Sequence, residues 1–301
     1  MAQPLSGIFA PVATVFDASG ELALDAFAEN VAAYGTTGLT GLVVLGSNGE
    51  FALLSGDEKV RLVETARRHL PAPKRIIAGT GCESLGETVA LTARCADAGA
   101  DAALVVTPHY YKKDMSEAAL EAFYTRLADA SPIPVMLYNM PGNTGVNLSS
   151  ALTLRLAAHP NIVGIKDSGG NIVQIAEVLA GAPEGFSVFA GSGSFLLATL
   201  VLGGVGGTLA VANVVPDHCV RIQESYARGD MDTARRMQLA LLPLNAAVTG
   251  RFGIGGMKAA MDLVGFRGGM PRSPILPASA AVRAEIARIL AQLGVATVQG
   301  G

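Results

Sequence analysis

Lysine is scarce in this sequence, and one of its six copies lies where a lysine is seldom found. Lys166 ends the apolar run at residues 162–165, whereas the other five lysines lie in polar or helix-like segments where water solvates them easily. Removing water from a lysine favours its neutral form, and a neutral amine attacks carbonyl carbons. Position alone supports two interpretations equally: a Schiff-base lysine, or a structural ion pair with a carboxylate such as Asp167.

Tyr138 ends the apolar run that precedes the one carrying Lys166, so neighbouring strands would bring its phenol near the amine. Carbon–carbon cleavage through an imine needs a proton shuttle. An unaided tyrosine is too weak an acid near neutrality, and Ser47 and Tyr110, which also follow apolar runs, are candidate relay partners. Taken alone, Tyr138 is more typical of a packing residue at a barrel rim.

The segment Gly-Ser-Asn-Gly-Glu at residues 46–50 follows the second apolar run. Its glycines let the backbone approach a ligand, and consecutive N–H groups bind anions such as a keto-acid carboxylate. An ordinary strand-to-helix turn explains the same sequence equally well. Candidate substrate contacts at the ends of apolar runs are Ser47, Asn48, Gly49, Ser168, Gly191 and Asn213.

Eight short apolar runs recur through the first two thirds of the chain, separated by helix-like segments. Apolar and polar residues do not alternate strictly within any of these runs, which is typical of parallel strands buried on both faces. Serines at 55, 84 and 116 precede amphipathic stripes and predict helix starts. The alternation of eight strands with helices favours a (β/α)8 TIM barrel over a doubly wound sheet, and so does the lack of a G-x-G-x-x-G turn after the first strand. The eighth strand is expected to begin near Gly207 and end at Asn213.

Only helical patterns follow Gly229, so we expect a barrel at residues 1–229, carrying the active site, and a helical region at 230–301. Three helices are expected in that region, and glycines at 253, 255 and 256 are expected to separate the first two. They cover residues 230–242, residues 257–264 and a stretch beginning at Ser279.

Composition excludes several function classes. A net charge of −3 argues against nucleic-acid binding, and no apolar run is long enough to span a membrane. No basic residue precedes the apolar part of the N-terminus, so we expect no secretory signal peptide. The three cysteines are far apart, which favours a reducing, cytoplasmic location without disulfides. The histidine spacing predicts no metal site, and no G-x-S-x-G motif supports a serine nucleophile.

Four motifs occur in register: GSNGE at 46–50, TPHYY at 107–111, LYNMPGNTG at 137–145 and GIKDS at 164–168. Together they resemble the dihydrodipicolinate synthase/N-acetylneuraminate lyase family over nearly the whole chain. The resemblance implies a class I aldolase in which Lys166 forms an imine with pyruvate and no metal or organic cofactor is needed. It implies Tyr138 as the catalytic tyrosine and Ser47 as the relay hydroxyl. It also implies that Tyr110 reaches into a neighbouring subunit's site, in a homotetramer built as a dimer of dimers.

Two departures from the family's synthases bear on the substrate. A Thr-Thr pair of the synthases is Ser47–Asn48 here, and Asn143 replaces the arginine that binds the carboxylate of aspartate semialdehyde. Losing a guanidinium removes the main carboxylate clamp. Both departures resemble the 4-hydroxy-2-oxoglutarate aldolase branch, and so do the segments at 159–170, 244–258 and 261–269.

In that branch the enzyme cleaves 4-hydroxy-2-oxoglutarate to pyruvate and glyoxylate, and Ser168 is the expected contact of the distal carboxylate. Four alternatives remain at this point. They are dihydrodipicolinate (4-hydroxy-tetrahydrodipicolinate) synthesis, cleavage of another 2-keto-3-deoxy sugar acid, a non-catalytic keto-acid sensor, and a metal-dependent aldolase that the histidine positions disfavour.

Overall fold

The computed structural model describes residues 5–298, in which eight parallel strands close into a barrel. Each strand pairs with the next in sequence, and the eighth pairs with the first. The predicted (β/α)8 barrel is therefore confirmed. The strands are β1 (Gly7–Pro11), β2 (Gly41–Val44), β3 (Arg75–Gly79), β4 (Ala102–Val106), β5 (Val135–Asn139), β6 (Ile162–Asp167), β7 (Ser187–Ala190) and β8 (Gly206–Thr208).

The barrel interior is filled by every second residue of the strands, because successive side chains of a strand point to opposite faces. Phe9, Ile77, Leu104 and Met136 belong to one buried cluster, and Tyr138 extends it at the carboxyl end of β5. The opposite faces of the strands pack on the surrounding helices in two further clusters. Burial on both faces accounts for the uninterrupted apolar runs in the sequence.

Helices connect the strands, and the predicted serine caps are present. Ser55 and Glu58 form a reciprocal capping box, while Ser84 and Ser116 each accept a backbone N–H of the helix that follows. The helices of this part are α1 (Leu24–Gly35), α2 (Gly56–His69), α3 (Leu85–Asp97), α4 (Glu117–Ala130), α5 (Pro141–Thr144), α6 (Ser150–Ala157), α7 (Ile172–Gly181), α8 (Leu196–Val201) and α9 (Pro216–Ala227).

The eighth strand is shorter than predicted. β8 ends at Thr208, and a 3-10 turn, Ala210–Asn213, occupies the positions that the sequence assigned to the end of the strand. A short apolar run does not distinguish these two conformations.

The C-terminal helices are α10 (Met231–Ala246), α11 (Gly253–Leu263) and α12 (Ala280–Gln292). The prediction that the first of them ends at residue 242 was wrong, because α10 continues through Pro243 into a π-helical turn, Ala247–Arg251. The glycines expected to separate two helices instead form the first turn of α11. A Cβ on Gly255 would lie 2.5 Å from the Leu276 carbonyl oxygen, so close packing requires glycine there.

The C-terminal helices contribute to the same buried cluster as the barrel, through residues such as Leu241, Met257 and Ile286. The division at residue 229 stays a prediction, and positions 1–4 and 299–301 of the two expected regions lie outside the described residues. Between residues 5 and 298, no helix combines the length and the apolar character needed to cross a bilayer.

Candidate active site

Lys166 and Tyr138 lie side by side inside the barrel, at the carboxyl ends of β6 and β5. The parallel register pairs the two residues directly, so both side chains point to the interior. The Lys166 Nζ lies 4.0 Å from the centroid of the Tyr138 ring. Lys166 and Tyr138 are both buried, with 2% and 4% of their surface exposed. The proximity predicted from the sequence is therefore present, at the end of the barrel where active sites of this fold are built.

Asp167 does not serve as the ion-pair partner of Lys166. Its carboxylate accepts hydrogen bonds from the Asn139 side chain at 2.8 Å and from the Gln174 side chain at 3.2 Å. Within residues 5–298, Lys166 forms no salt bridge with any carboxylate. The alternative interpretation of Lys166 as half of a structural ion pair therefore has no support in these contacts.

The Tyr138 hydroxyl lies 3.3 Å from the Ser47 Oγ, which is the contact expected of a proton relay. Burial opposes ionisation of this phenol, but the neighbouring Lys166 charge and hydrogen bonding by Ser47 and Lys166 outweigh it. The pKa of Tyr138 therefore lies below its ordinary range. A phenol with a lowered pKa releases and regains a proton more easily near neutral pH.

The loop at residues 46–50 forms a 3-10 turn, Ser47–Gly49, between β2 and α2. The turn itself uses two of its backbone donors: Gly49 N–H donates to the Gly46 carbonyl and Glu50 N–H to the Ser47 carbonyl. In the part of the chain that the structure describes, the Ser47 and Asn48 N–H groups have no hydrogen-bond partner. Two adjacent donors thus remain for an anion, which is fewer than the sequence pattern allowed.

The Asn213 side chain is engaged within the barrel. It is fully buried, its Nδ2 donates to the carbonyls of Pro11 at 2.9 Å and Ala210 at 3.0 Å, and its Oδ1 accepts from Ala13 N–H at 3.2 Å. These bonds use both of its amide hydrogens. Asn213 joins the end of β1 to the turn after β8, so its side-chain amide keeps no hydrogen for a substrate, and its role as a substrate contact stays a prediction.

The remaining predicted contacts surround the lysine and the loop. Ser168 Oγ lies 3.4 Å from the Gly191 carbonyl oxygen, and Gly191 N–H donates to the Asp167 carbonyl. A Cβ on Gly191 would lie 1.9 Å from Ser168 Oγ, so glycine allows this close approach. Asn48 Nδ2 donates to the Met257 sulfur at 3.3 Å, and Gly49 is the buried last residue of the turn.

A cavity of about 470 Å³ lies at the carboxyl end of the barrel. Ser47, Asn143 and Thr107 line it, and a smaller recess that shares the Ser47 wall ends at Tyr138. The Thr107 hydroxyl is buried and has no hydrogen-bond partner in the described residues, so it is free to form a hydrogen bond with a ligand. Thr107 stands in the TPHYY motif, but its type gave no chemical signal in the sequence. Lys59 and His109 also line this cavity, which contains no arginine among the described residues.

A larger cavity, of about 730 Å³, lies at the opposite end of the barrel, around Arg75 and Ala102, where β3 and β4 begin. Residues at that end of such a barrel generally serve stability rather than catalysis. The smaller cavity beside Tyr138 is therefore the candidate active site.

Tyr110 does not line the cavity or the recess of its own chain. Its side chain is 76% exposed, and its ring packs edge-on against Tyr111 with the centroids 5.1 Å apart. The backbone N–H of Tyr110 is held by Glu83. A single chain therefore does not bring Tyr110 to Tyr138, and any relay role requires a neighbouring subunit.

Lys258 is the second buried lysine, which the sequence did not reveal. It is 1% exposed, and its Nζ lies 2.6 Å from Glu50 Oε1. The prediction that water easily solvates every lysine except Lys166 was wrong for Lys258. The apolar, glycine-rich start of α11 was the available signal, because small residues permit close packing around the neighbouring side chain.

Residues 5–298 contain no group of three or more His, Cys, Asp or Glu side chains arranged to hold a metal ion. Cys82, Cys95 and Cys219 are free thiols.

The chain is similar in sequence to known proteins. The model of the dihydrodipicolinate synthetase family matches residues 4–293. The chain is 37% identical over 287 residues to a 4-hydroxy-tetrahydrodipicolinate synthase from an Exiguobacterium species, covering 95% of this chain and 97% of the relative. It is 36% identical over 280 residues to a probable mitochondrial 4-hydroxy-2-oxoglutarate aldolase from Emericella nidulans, covering 91% of this chain and 90% of that relative.

The fold is also that of a solved relative. A prophage protein of the dihydrodipicolinic acid synthase family from E. coli K12, determined in complex with pyruvate, superposes with a TM-score of 0.90 at 31% identity. The superposition covers 97% of this chain and 99% of that protein.

Proposed function

The chain belongs to the dihydrodipicolinate synthetase family, whose members are class I aldolases and lyases, and we propose that it cleaves 4-hydroxy-2-oxoglutarate to pyruvate and glyoxylate through an imine on Lys166. The observation that carries this proposal is the trio of Lys166, Tyr138 and Ser47, in which the lysine and the tyrosine are buried and the serine is partly exposed. The amine lies 4.0 Å from the Tyr138 ring, and the Tyr138 hydroxyl lies 3.3 Å from Ser47 Oγ.

The reaction begins with attack of the Lys166 amine on the C2 carbonyl, followed by loss of water to give the imine. Tyr138 accepts the proton of the C4 hydroxyl while the C3–C4 bond breaks. The bonding electrons flow into the protonated imine, so glyoxylate leaves and an enamine remains. Protonation of C3 followed by hydrolysis of the imine releases pyruvate and restores the amine.

Ser47 receives the proton from Tyr138 over the 3.3 Å contact and returns it for the protonation step. Its position at the wall shared by the cavity and the recess supports this role. Tyr110 from a neighbouring subunit continues the relay. The imine supplies the electron sink, so the mechanism uses no metal and no organic cofactor.

The substrate carboxylate next to the reacting carbonyl binds the free N–H groups of Ser47 and Asn48, for which Gly49 shapes the turn. Ser168 and Asn143 serve the distal carboxylate. Gly191 admits the Ser168 side chain by its lack of a Cβ.

The choice of 4-hydroxy-2-oxoglutarate rests on Asn143 and the cavity lining. Relatives named for synthesis and for cleavage are 37% and 36% identical to this chain, so overall identity does not select between them. Among the described residues no arginine lines the cavity, and a synthase would need a guanidinium for the semialdehyde carboxylate. Dihydrodipicolinate synthesis and cleavage of a 2-keto-3-deoxy sugar acid are the alternative reactions.

Two coupled assays with the same enzyme preparation test this choice. The first follows glyoxylate release from 4-hydroxy-2-oxoglutarate, and the second follows condensation of pyruvate with aspartate semialdehyde. We expect a kcat/KM for cleavage at least about a hundredfold above that for condensation, the discrimination that a missing charged contact produces. A ratio near one, or a reversed ratio, would favour the synthase.

A homotetramer built as a dimer of dimers is part of the proposal. Tyr110 and Tyr111 form one exposed aromatic patch, 76% and 67% exposed. Val201 and Leu239, each more than half exposed, line one apolar depression elsewhere on the surface. Two separate apolar patches suit the two interfaces of such an assembly. The three free thiols suit a reducing cytoplasmic location.

A further inference from the structure

Glu50 is the last residue of the loop that carries the Ser47 and Asn48 N–H groups, and its backbone is unusual. Its φ of 55° lies in the left-handed region that residues other than glycine seldom adopt. The side chain is buried, with 3% of its surface exposed. A glutamate therefore occupies a position whose backbone favours glycine and whose burial disfavours charge, so its side chain must be held by specific contacts.

Both carboxylate oxygens of Glu50 are held by the C-terminal part of the chain. Oε1 lies 2.6 Å from Lys258 Nζ on α11. Oε2 accepts the backbone N–H of Arg272 at 2.8 Å. The loop beside the reacting groups is thus attached to a region remote in sequence from the barrel strands.

The partners of Glu50 are themselves fixed. Lys258 Nζ also donates to the Met270 carbonyl at 2.7 Å and lies 4.8 Å from the centroid of the Phe16 ring. The Arg272 guanidinium donates to Glu58 at 2.6 and 2.9 Å and to the Leu53 carbonyl at 2.9 Å. A rigid frame therefore surrounds the loop, because each group has several bonded neighbours.

We propose that the buried Glu50–Lys258 ion pair positions the Ser47 and Asn48 N–H groups for the carboxylate of the keto acid, so that the C-terminal helical region takes part in substrate binding. This inference rests on the proposed function. Glu50 and Lys258 are positioning residues, since neither touches the reacting atoms. Removing one partner leaves the other charge buried and uncompensated. We expect the loop to move so that water reaches this charge.

The test compares Glu50→Gln, Lys258→Met and the double variant with the unaltered enzyme. Glu50→Gln keeps the shape of the side chain and loses its charge. The double variant leaves no charge buried alone, and so retains the fold if a single variant does not. Glu285→Gln is the matched control, because Glu285 pairs with Arg251 at 2.7 Å in the same C-terminal region without contacting the loop.

Two readouts are used on the full-length protein. The first is backbone hydrogen exchange of the peptide covering residues 45–54, measured without ligand. We expect exchange in Glu50→Gln to accelerate by about a hundredfold or more, since a buried pair has been broken. The second is the pyruvate concentration that half-saturates borohydride trapping on Lys166. We expect it to rise at least about tenfold, while maximal trapping changes by less than about threefold.

Glu285→Gln should match the unaltered enzyme in both readouts. A folded Glu50→Gln or double variant whose loop exchange and half-saturating pyruvate concentration equal those of the unaltered enzyme would overturn the proposal, even if its melting temperature falls. If the unaltered enzyme traps no pyruvate, the proposed function fails. The exchange readout then still decides whether the pair holds the loop.

Discussion

Replacing Tyr138 by phenylalanine removes a single oxygen atom from the centre of the site. The ring lies 4.0 Å from Lys166 Nζ and keeps its packing in the variant, so the lysine stays in place. What is lost is the phenolic proton and its 3.3 Å contact with Ser47 Oγ. We therefore expect Tyr138→Phe to form the imine with pyruvate but to move the C4 proton too slowly for cleavage.

The size of this effect follows from the role of the hydroxyl. A positioned acid–base group contributes about 10²- to 10⁴-fold to a rate, which corresponds to about 3–5 kcal/mol of transition-state stabilisation. The same oxygen makes a hydrogen bond that contributes only about 1 kcal/mol to the free energy of unfolding. The loss of activity should thus greatly exceed anything that lost stability explains.

Single-turnover release of glyoxylate measures the cleavage step, and borohydride trapping measures the imine in parallel. Tyr124→Phe is the matched control, because Tyr124 is fully buried and its hydroxyl donates to the Val105 carbonyl at 3.0 Å, away from Lys166. It should lose a similar hydrogen bond and keep full activity. If Tyr138→Phe retains cleavage within about threefold of the unaltered enzyme, or if Tyr124→Phe loses as much activity, the assigned relay is refuted.

Three further predictions concern stability and specificity. The Arg272 hydrogen bond lowers the pKa of Glu58 from 4.5 to about 2, so this contact stabilises the fold above pH 4.5 and the contribution is lost as the pH falls through 2. Denaturant titrations at several pH values should show that the free energy of unfolding falls less over that range in Glu58→Gln than in the unaltered protein. An equal fall in both proteins would contradict the assignment. Asn213→Ala removes three buried hydrogen bonds and should cost about 2–4 kcal/mol of unfolding free energy without altering KM, whereas a raised KM would return Asn213 to the substrate site. Asn143→Arg should increase condensation with aspartate semialdehyde relative to cleavage, as a coupled assay would show, and an unchanged ratio would mean that position 143 does not select the substrate.

Much of the architecture could be predicted because it follows from local patterns. Strands buried on both faces give uninterrupted apolar runs, and helix starts depend on single capping residues such as Ser55 and Ser84. The meeting of Lys166 and Tyr138 followed from their places at the ends of consecutive strands. Parallel pairing of those strands then put both side chains in one register.

The features that sequence reasoning missed depend on contacts between distant segments. Lys258 occupies a helix and looked solvated, but its partner Glu50 lies in a loop that only the folded chain brings to it. The apolar run toward Asn213 suited a strand as well as the 3-10 turn that forms, because the choice depends on bonds to β1. The first C-terminal helix was predicted to end at residue 242, but α10 continues through Pro243.

Every step of the proposed reaction depends on an imine between Lys166 and pyruvate. This imine can be trapped by incubation with pyruvate and borohydride and located by digestion and mass spectrometry. We expect a reduced pyruvate adduct on the peptide containing Lys166 and none in Lys166→Ala. An unmodified Lys166 would refute the proposed reaction, as would an adduct that forms equally on another lysine such as Lys59, which lines the cavity at the carboxyl end of the barrel.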